Sequence, residues 1–214
     1  GDKKYFCVTT CNVRRFFVGC KKKPKEGTEN GMRVITGSAR GRRLNELKGY
    51  DTRPTTDKVK EGIFSAIQFE VEGARVLDLF AGSGQLGIEA LSRGAAGCIF
   101  VDRETAAVPV IRQNLQRAGL SSAAQVISTD AMSYLQRPKE KFDVVFLDPP
   151  YASGLLRPAL EQVVPHMRPG GLIVCESDEG EEMPEQVGAF GLDRMRRYGR
   201  VHLWFYRWRE EEQR

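Results

Sequence analysis

From residue 74 onwards the chain alternates short apolar runs with helical patterns, and this alternation restricts the possible folds more than any other feature. Residues 75–80, 98–102, 124–128, 142–147 and 172–176 are strand-length and largely apolar. Runs of this kind suit parallel strands covered on both faces. Helical patterns around residues 85–93, 104–118, 131–136 and 154–167 separate them. Strand and helix in strict alternation predict an α/β fold with a doubly wound parallel sheet. Two last runs, residues 192–198 and 201–208, flank Gly199 and read as an antiparallel hairpin.

Upstream of this region the pattern differs. Residues 33–36 and 43–47 are short strand candidates around a turn at 37–41, giving a small arginine-rich hairpin. Arg53-Pro54-Thr55-Thr56-Asp57 is a helix-start signal, and Val59, Ile63, Phe64 and Ile67 then share one helical face. Residues 1–31 show no sustained periodicity, and Met32 looks like a natural start. The expected organisation is therefore a basic extension at 1–31, disordered or mis-assigned, with Gly1 an expression remnant. A hairpin-and-helix segment at 32–72 and a main domain at 73–209 follow it.

Charge sharpens this division. Residues 1–31 hold eight Lys/Arg against three Asp/Glu, which accounts for the whole net charge of +5, so the remaining chain is neutral. Within that neutral part, residues 32–60 carry eight basic and three acidic side chains, and residues 194–209 carry six basic and none acidic. The acidic run at 176–185 offsets them. Two local basic segments suggest a footprint for phosphates. No apolar run approaches the roughly 20 residues that cross a bilayer, and no signal-peptide core is present, so a cytoplasmic location without membrane contact is expected. Cys98 and Cys175 lie in apolar runs and read as buried thiols. Cys7, Cys11 and Cys20 lack the partners of an iron–sulfur motif, position 14 being Arg14, and no metal site is expected.

The run Val76-Leu77-Asp78-Leu79-Phe80-Ala81-Gly82-Ser83-Gly84-Gln85-Leu86-Gly87 is a strand, a glycine turn and a helix start. Gly82, Gly84 and Gly87 satisfy the spacing of a dinucleotide-binding loop, which alone is a weak signal. Asp78 argues against that reading, because a carboxylate at the strand end would repel a pyrophosphate. It suits S-adenosylmethionine, which carries an ammonium and a sulfonium and no phosphate. Asp102 ends the second strand and could accept both ribose hydroxyls. Asp130 follows the third and could accept from the adenine amine. Three acids at the C-terminal ends of consecutive strands converge on the crevice where open α/β sheets bind ligands.

Asp148-Pro149-Pro150-Tyr151 follows the fourth strand. As structure alone it is a stiff turn. The acid and the aromatic flanking the prolines point instead to transfer of a methyl group to an exocyclic base amine. The lone pair of such an amine is delocalised into the ring. Asp148 and the Pro149 carbonyl can accept its two N–H bonds and localise the lone pair, Pro150 stiffens the turn, and Tyr151 offers a stacking face.

The parallel sheet closed by a hairpin resembles the class I methyltransferase fold. Across 32–208 the order of motifs resembles the RsmD family, bacterial enzymes that methylate a guanine amino group (N2) in 16S ribosomal RNA. The resemblance rests on Arg33-Val34-Ile35-Thr36-Gly37, Gly41-Arg42-Arg43-Leu44, Thr52-Arg53-Pro54-Thr55, the Asp78–Gly84 loop and Asp148-Pro149-Pro150-Tyr151. It implies S-adenosylmethionine as methyl donor, S-adenosylhomocysteine as product, and the small ribosomal subunit as partner of a monomer. It further implies cofactor contacts at Phe80, Ala131 and Thr55, while the basic balance of residues 32–60 points to RNA contacts at Arg40, Arg42, Arg43 and Arg53.

The nearest rival is a DNA adenine-N6 methyltransferase. Only 69 residues lie between Asp78 and Asp148, and 63 follow Tyr151. Both stretches are consumed by the sheet, which leaves no target-recognition domain. A non-catalytic RNA-binding assembly protein would not need the Asp148–Tyr151 motif, and a protein methyltransferase fits less well still.

Overall fold

The computed structural model describes residues 31–47, 56–137 and 140–210, all within the compact unit Gly31–Arg214. Residues 1–30, with Cys7, Cys11 and Cys20, and residues 48–55, with Arg53 and Thr55, lie outside the described residues.

Five strands form the parallel part: β1 (Arg75–Asp78), β2 (Gly97–Asp102), β3 (Ala124–Ser128), β4 (Phe142–Leu147) and the parallel portion of β5 (Met167–Ser177). The helices are α1 (Asp57–Ala66), α2 (Gln85–Ser92), α3 (Ala107–Ala118), α4 (Ala131–Leu135) and α5 (Leu156–Val163). Then β6 (Gln186–Val187), β7 (Phe190–Tyr198) and β8 (Val201–Trp208) add antiparallel strands, giving the order β3-β2-β1-β4-β5-β8-β7-β6. The chain starts at β1 in the middle and winds outward both ways, as the alternation predicts. The hairpin turn falls at Gly199, whose φ of +64° is the left-handed conformation that glycine adopts without penalty.

Burial follows strand parity. Val76, Cys98, Phe100, Val144, Phe146, Leu172 and Val174 form one core with α1, α2 and α3. Leu77, Leu79, Ile99, Val101, Val145, Leu147, Ile173 and Cys175 form the other with α4 and α5. Alternate residues of each strand thus enter opposite cores, which is why the runs lack a polar face. In α1, Val59, Ile63, Phe64 and Ile67 are buried as their spacing predicts, and Thr56 caps the helix by accepting the Val59 N–H at 3.3 Å.

Three local expectations change. The helix start lies where predicted, and 33–36 and 43–47 do meet as an antiparallel hairpin, but a short one: a single bridge, Arg33 to Arg43, with the Val34, Gly41 and Leu44 N–H groups bonded to the Arg42, Val34 and Met32 carbonyls, stands in place of two full strands. This segment finds its remaining partners on α1, α2 and α3. Second, β5 begins at Met167, ahead of the apolar run, because Met167 already pairs with Phe142; the register then shifts before Leu172 meets Val144, with Gly170 at φ +78° inside the interruption. Third, β6 has two residues, too few for any periodicity to announce. Among the described residues no helix is long and apolar enough to cross a membrane.

Candidate active site

Strand register decides which acids meet. Asp78 pairs with Phe100 of β2 and Phe146 of β4, so Asp102 and Asp148 each lie two residues further along their strands. Two residues amount to about 6.6 Å of rise. Asp78 therefore sits one pleat repeat below the rim that Asp102 and Asp148 occupy, and it is 2% exposed while they are partly open. Val174 of β5 pairs with Phe146, which brings Glu176 level with Asp148. Asp78, Asp102, Asp148 and Glu176 thus extend the same parity row of their strands, at one edge of the sheet.

The glycine turn is organised by two of these acids. Asp78 Oδ2 accepts the Gly87 N–H at 2.9 Å, tying the first turn of α2 to the end of β1. Asp102 accepts from the Gly82 N–H with Oδ2 at 2.7 Å and from the Glu104 N–H with Oδ1 at 2.8 Å. Each carboxylate oxygen has two lone pairs, so these bonds leave acceptor capacity for a ligand. Burial pushes the Asp78 carboxyl up to about 7, against the Gly87 hydrogen bond and with a smaller push from the Asp102 charge. Gly84 precedes α2 at φ +81°, and a Cβ on Gly87 would strike the Phe100 ring and the Cys98 sulfur. By contrast, the space where a Cβ on Gly82 would stand is open, with φ at +52°. An open backbone beside two carboxylates fits a cationic nucleoside approaching the turn.

Asp130 is exposed and caps α4, accepting the Ser133 N–H at 3.1 Å, with buried Ala131 behind it. Phe80 is half-buried against the α4–α5 core. Both flank the same edge.

The catalytic candidate follows β4. Asp148 is partly exposed, Pro149 buried and Pro150 exposed. Tyr151 keeps 38% of its surface exposed, and its hydroxyl donates to Glu176 Oε1 at 2.9 Å. The turn is closed by the Ser153 N–H on the Pro150 carbonyl at 3.2 Å, with Ala152 at φ +56°. Burial, then the Glu176 and Asp148 charges, pushes the Tyr151 phenol upward. Glu176 itself is 4% exposed; burial raises its carboxyl to about 7, and the Tyr151 bond opposes the rise. Sequence reasoning missed Glu176 as a site residue, although it ends a strand as the other acids do.

The arginine segment is fastened against α2 and α3 by buried polar groups. Glu89, 1% exposed, accepts the Ile35 and Thr36 N–H groups at 2.8 and 2.9 Å and pairs with Arg93. Ser92 Oγ accepts from Ala39 and donates to the Thr36 carbonyl. Asn114 links the segment to the glycine turn: its Oδ1 accepts from Asn45, and its amide donates to the Asn45 and Ser83 carbonyls. Arg40, Arg42 and Arg43 are exposed on this anchored base. The second basic segment behaves differently. Arg194 and Arg207 pair with Asp193, Arg207 also with Glu70, Arg197 with Glu179 and Arg200 with Asp178. Arg196 and Arg209 instead donate to the Gly62 and Leu192 carbonyls, so this segment is partly ion-paired within the fold. No cluster of metal-ligating side chains occurs among the described residues.

The family model described as Conserved hypothetical protein 95 matches residues 32–207. The chain belongs to this family, RsmD. Similarity to family members spans nearly their full lengths. The protein YlbH of Bacillus subtilis (strain 168) is 45% identical over 181 residues, covering 82% of this chain and 98% of that protein. Ribosomal RNA small subunit methyltransferase D of Escherichia coli (strain K12) is 34% identical over 187 residues, covering 86% and 94%. The solved structure of the Escherichia coli protein yhhF superposes with a TM-score of 0.76 at 34% identity, covering 84% of this chain and 98% of that one. The RsmD chain described here accordingly has the class I methyltransferase fold, as its sheet order and closing hairpin led one to expect.

Proposed function

We propose that this chain transfers a methyl group from S-adenosylmethionine to the exocyclic N2 of a guanine in 16S ribosomal RNA, acting as a cytoplasmic monomer on the small ribosomal subunit. The observation that carries the reading is the carboxylate row beside an open glycine turn, with Asp148-Pro149-Pro150-Tyr151 at its rim, in a chain of the RsmD family.

The cofactor supplies a methyl group already activated as a sulfonium. Asp78 offers negative charge to the cationic end, Asp102 accepts from the ribose, and Asp130 with Ala131 and Phe80 borders the adenine; Thr55 completes this set from outside the described residues. Asp148 and the Pro149 carbonyl accept the two N–H bonds of the target amine and draw its lone pair out of the ring. Because a proline ring follows that carbonyl, the acceptor is rigid before substrate arrives. Asp148 is also the acceptor able to take the proton that the nitrogen sheds. The open part of the Tyr151 ring stacks on the extruded base, and its hydroxyl bond to Glu176 fixes the ring plane.

Methylation assays on small-subunit particles and on duplex DNA, with mass spectrometry of the product nucleoside, test this reading. Methylguanosine from the particles is the expected product; methyladenine from the duplex would replace the reading with the DNA enzyme.

Arg40, Arg42 and Arg43, with Arg53, dock the RNA. Arginine suits the task because its planar fork meets a phosphate bidentately. Replacing Arg40, Arg42 and Arg43 by alanine is expected to weaken particle binding without altering affinity for S-adenosylhomocysteine. The salt slope of binding flattens by roughly 0.7–0.9 per lost phosphate contact. A chain beginning at Met32 keeps RNA binding and activity. Loss of RNA binding on that truncation, with the triple variant normal, would move the anchor to residues 1–31.

A further inference from the structure

The Tyr151–Glu176 pair leaves one buried group without a task. Glu176 Oε1 accepts the Tyr151 hydroxyl, but Oε2 is buried and has no hydrogen-bond partner among the described residues. Each carboxylate oxygen withdrawn from water needs a donor, and an orphan of this kind points to an incoming partner. Its place in the fold identifies the donor. Register puts Glu176 level with Asp148 on the adjacent parallel strand, and neighbouring strands lie about 4.8 Å apart. If Asp148 meets the reacting amine, Glu176 stands about one strand spacing away at the same edge, within reach of a neighbouring atom of the base ring.

That next atom distinguishes the bases. In guanine the exocyclic amine is flanked by two ring nitrogens, N3 with a lone pair and N1, which carries a hydrogen. In adenine and cytosine the corresponding nitrogen presents a lone pair. An ionised carboxylate accepts from the first and repels the second. We propose that Glu176 is the specificity-determining residue of this site, its Oε2 accepting the guanine N1–H while Tyr151 holds Oε1 in place. The inference rests on the guanine-amine reading above and assigns the base selection to one side chain.

The test uses 2-aminopurine, which keeps the exocyclic N2 amine but presents a lone pair at N1. Small-subunit particles are reconstituted with RNA in which the guanosine methylated by the wild-type protein is replaced by 2-aminopurine. Wild type is expected to prefer guanine by about 10–150-fold in kcat/KM, the range for a hydrogen bond to a charged group. Glu176→Gln keeps an oxygen for Tyr151 and places an amide donor at the second position. It is expected to lose activity on guanine and to shrink or invert the guanine preference. Tyr151→Phe removes the hydroxyl tether alone, so its activity falls while a guanine preference remains. Equal use of the two bases by wild type overturns the inference without needing any variant to fold. A Glu176→Gln protein of reduced activity but unchanged preference also overturns it, because Glu176 then only positions Tyr151. Methylation of unsubstituted particles at guanine N2 is scored separately: if wild type fails there, the proposed function falls and this inference with it.

Discussion

Asp148→Ala is expected to lower methyl transfer by about 10²–10³-fold, the effect of deleting one preorganised hydrogen-bonding group from a reacting centre. Affinity for S-adenosylhomocysteine should stay at the wild-type level. The asymmetry follows from placement. Asp148 stands at the rim two residues beyond the pairing partner of Asp78, whereas the Gly82 and Gly87 N–H groups of the glycine turn are held by Asp102 and Asp78. Its charge is felt by Tyr151, on the substrate side of the edge. Asp148→Asn separates two contributions. It keeps an acceptor for the amine but cannot take up the proton, so activity should lie between wild type and alanine. Single-turnover methylation with saturating cofactor, alongside calorimetry for product binding, gives both numbers. Wild-type turnover in the alanine variant would sink the role given to Asp148, and a parallel loss of cofactor affinity would move it to the cofactor side.

The sheet was legible because parallel strands covered on both faces leave an unmistakable trace of apolar runs bounded by turns. Asp78, Asp102 and Asp148 were legible for the same reason: each ends such a run. Glu176 ends one too, but acids also stand at Asp178, Glu179, Glu181, Glu182 and Glu185, and a single row of letters shows them as one surface run. Only pairing with β4 and burial under Tyr151 separate Glu176 from its neighbours. The arginine hairpin is shorter than its alternation suggests for a related reason. Beyond the one bridge, Glu89 accepts the Ile35 and Thr36 N–H groups and Ser92 the Ala39 N–H, from more than 50 positions away. Distance in sequence also hid the neutralisation of Arg197, Arg200 and Arg207, whose partners Glu179, Asp178 and Glu70 lie on other elements. Local pattern reports which face a residue takes; it does not report what occupies the other side of that face.

Asp78→Ala is expected to weaken S-adenosylhomocysteine binding by about 1.5–3 kcal/mol, the range for a hydrogen bond to a charged group, or roughly 10–150-fold in Kd. Two contributions are lost together, the charge toward the ligand ammonium and the acceptor that holds the Gly87 N–H. Asp78→Asn retains an acceptor and the shape, so the affinity it loses reports the charge alone. The pH dependence offers an independent check. Burial raises the Asp78 carboxyl from 3.8 to about 7, so the unfolded chain gives up this proton before the folded protein does. The folded state then binds more protons than the unfolded one across that interval, and stability from this group is full below 3.8 and lost as pH rises towards 7. A cationic ligand reverses the preference, because it favours the carboxylate. Binding is therefore expected to take up the charged form and release a proton below about 7, with affinity rising as pH climbs through that value and levelling above it. Calorimetry in buffers of different ionisation enthalpy counts the protons directly. In Asp78→Asn the release should vanish and the affinity stay flat over the same interval; an unchanged release would place the titrating group elsewhere on the carboxylate row and detach Asp78 from the cationic end of the cofactor.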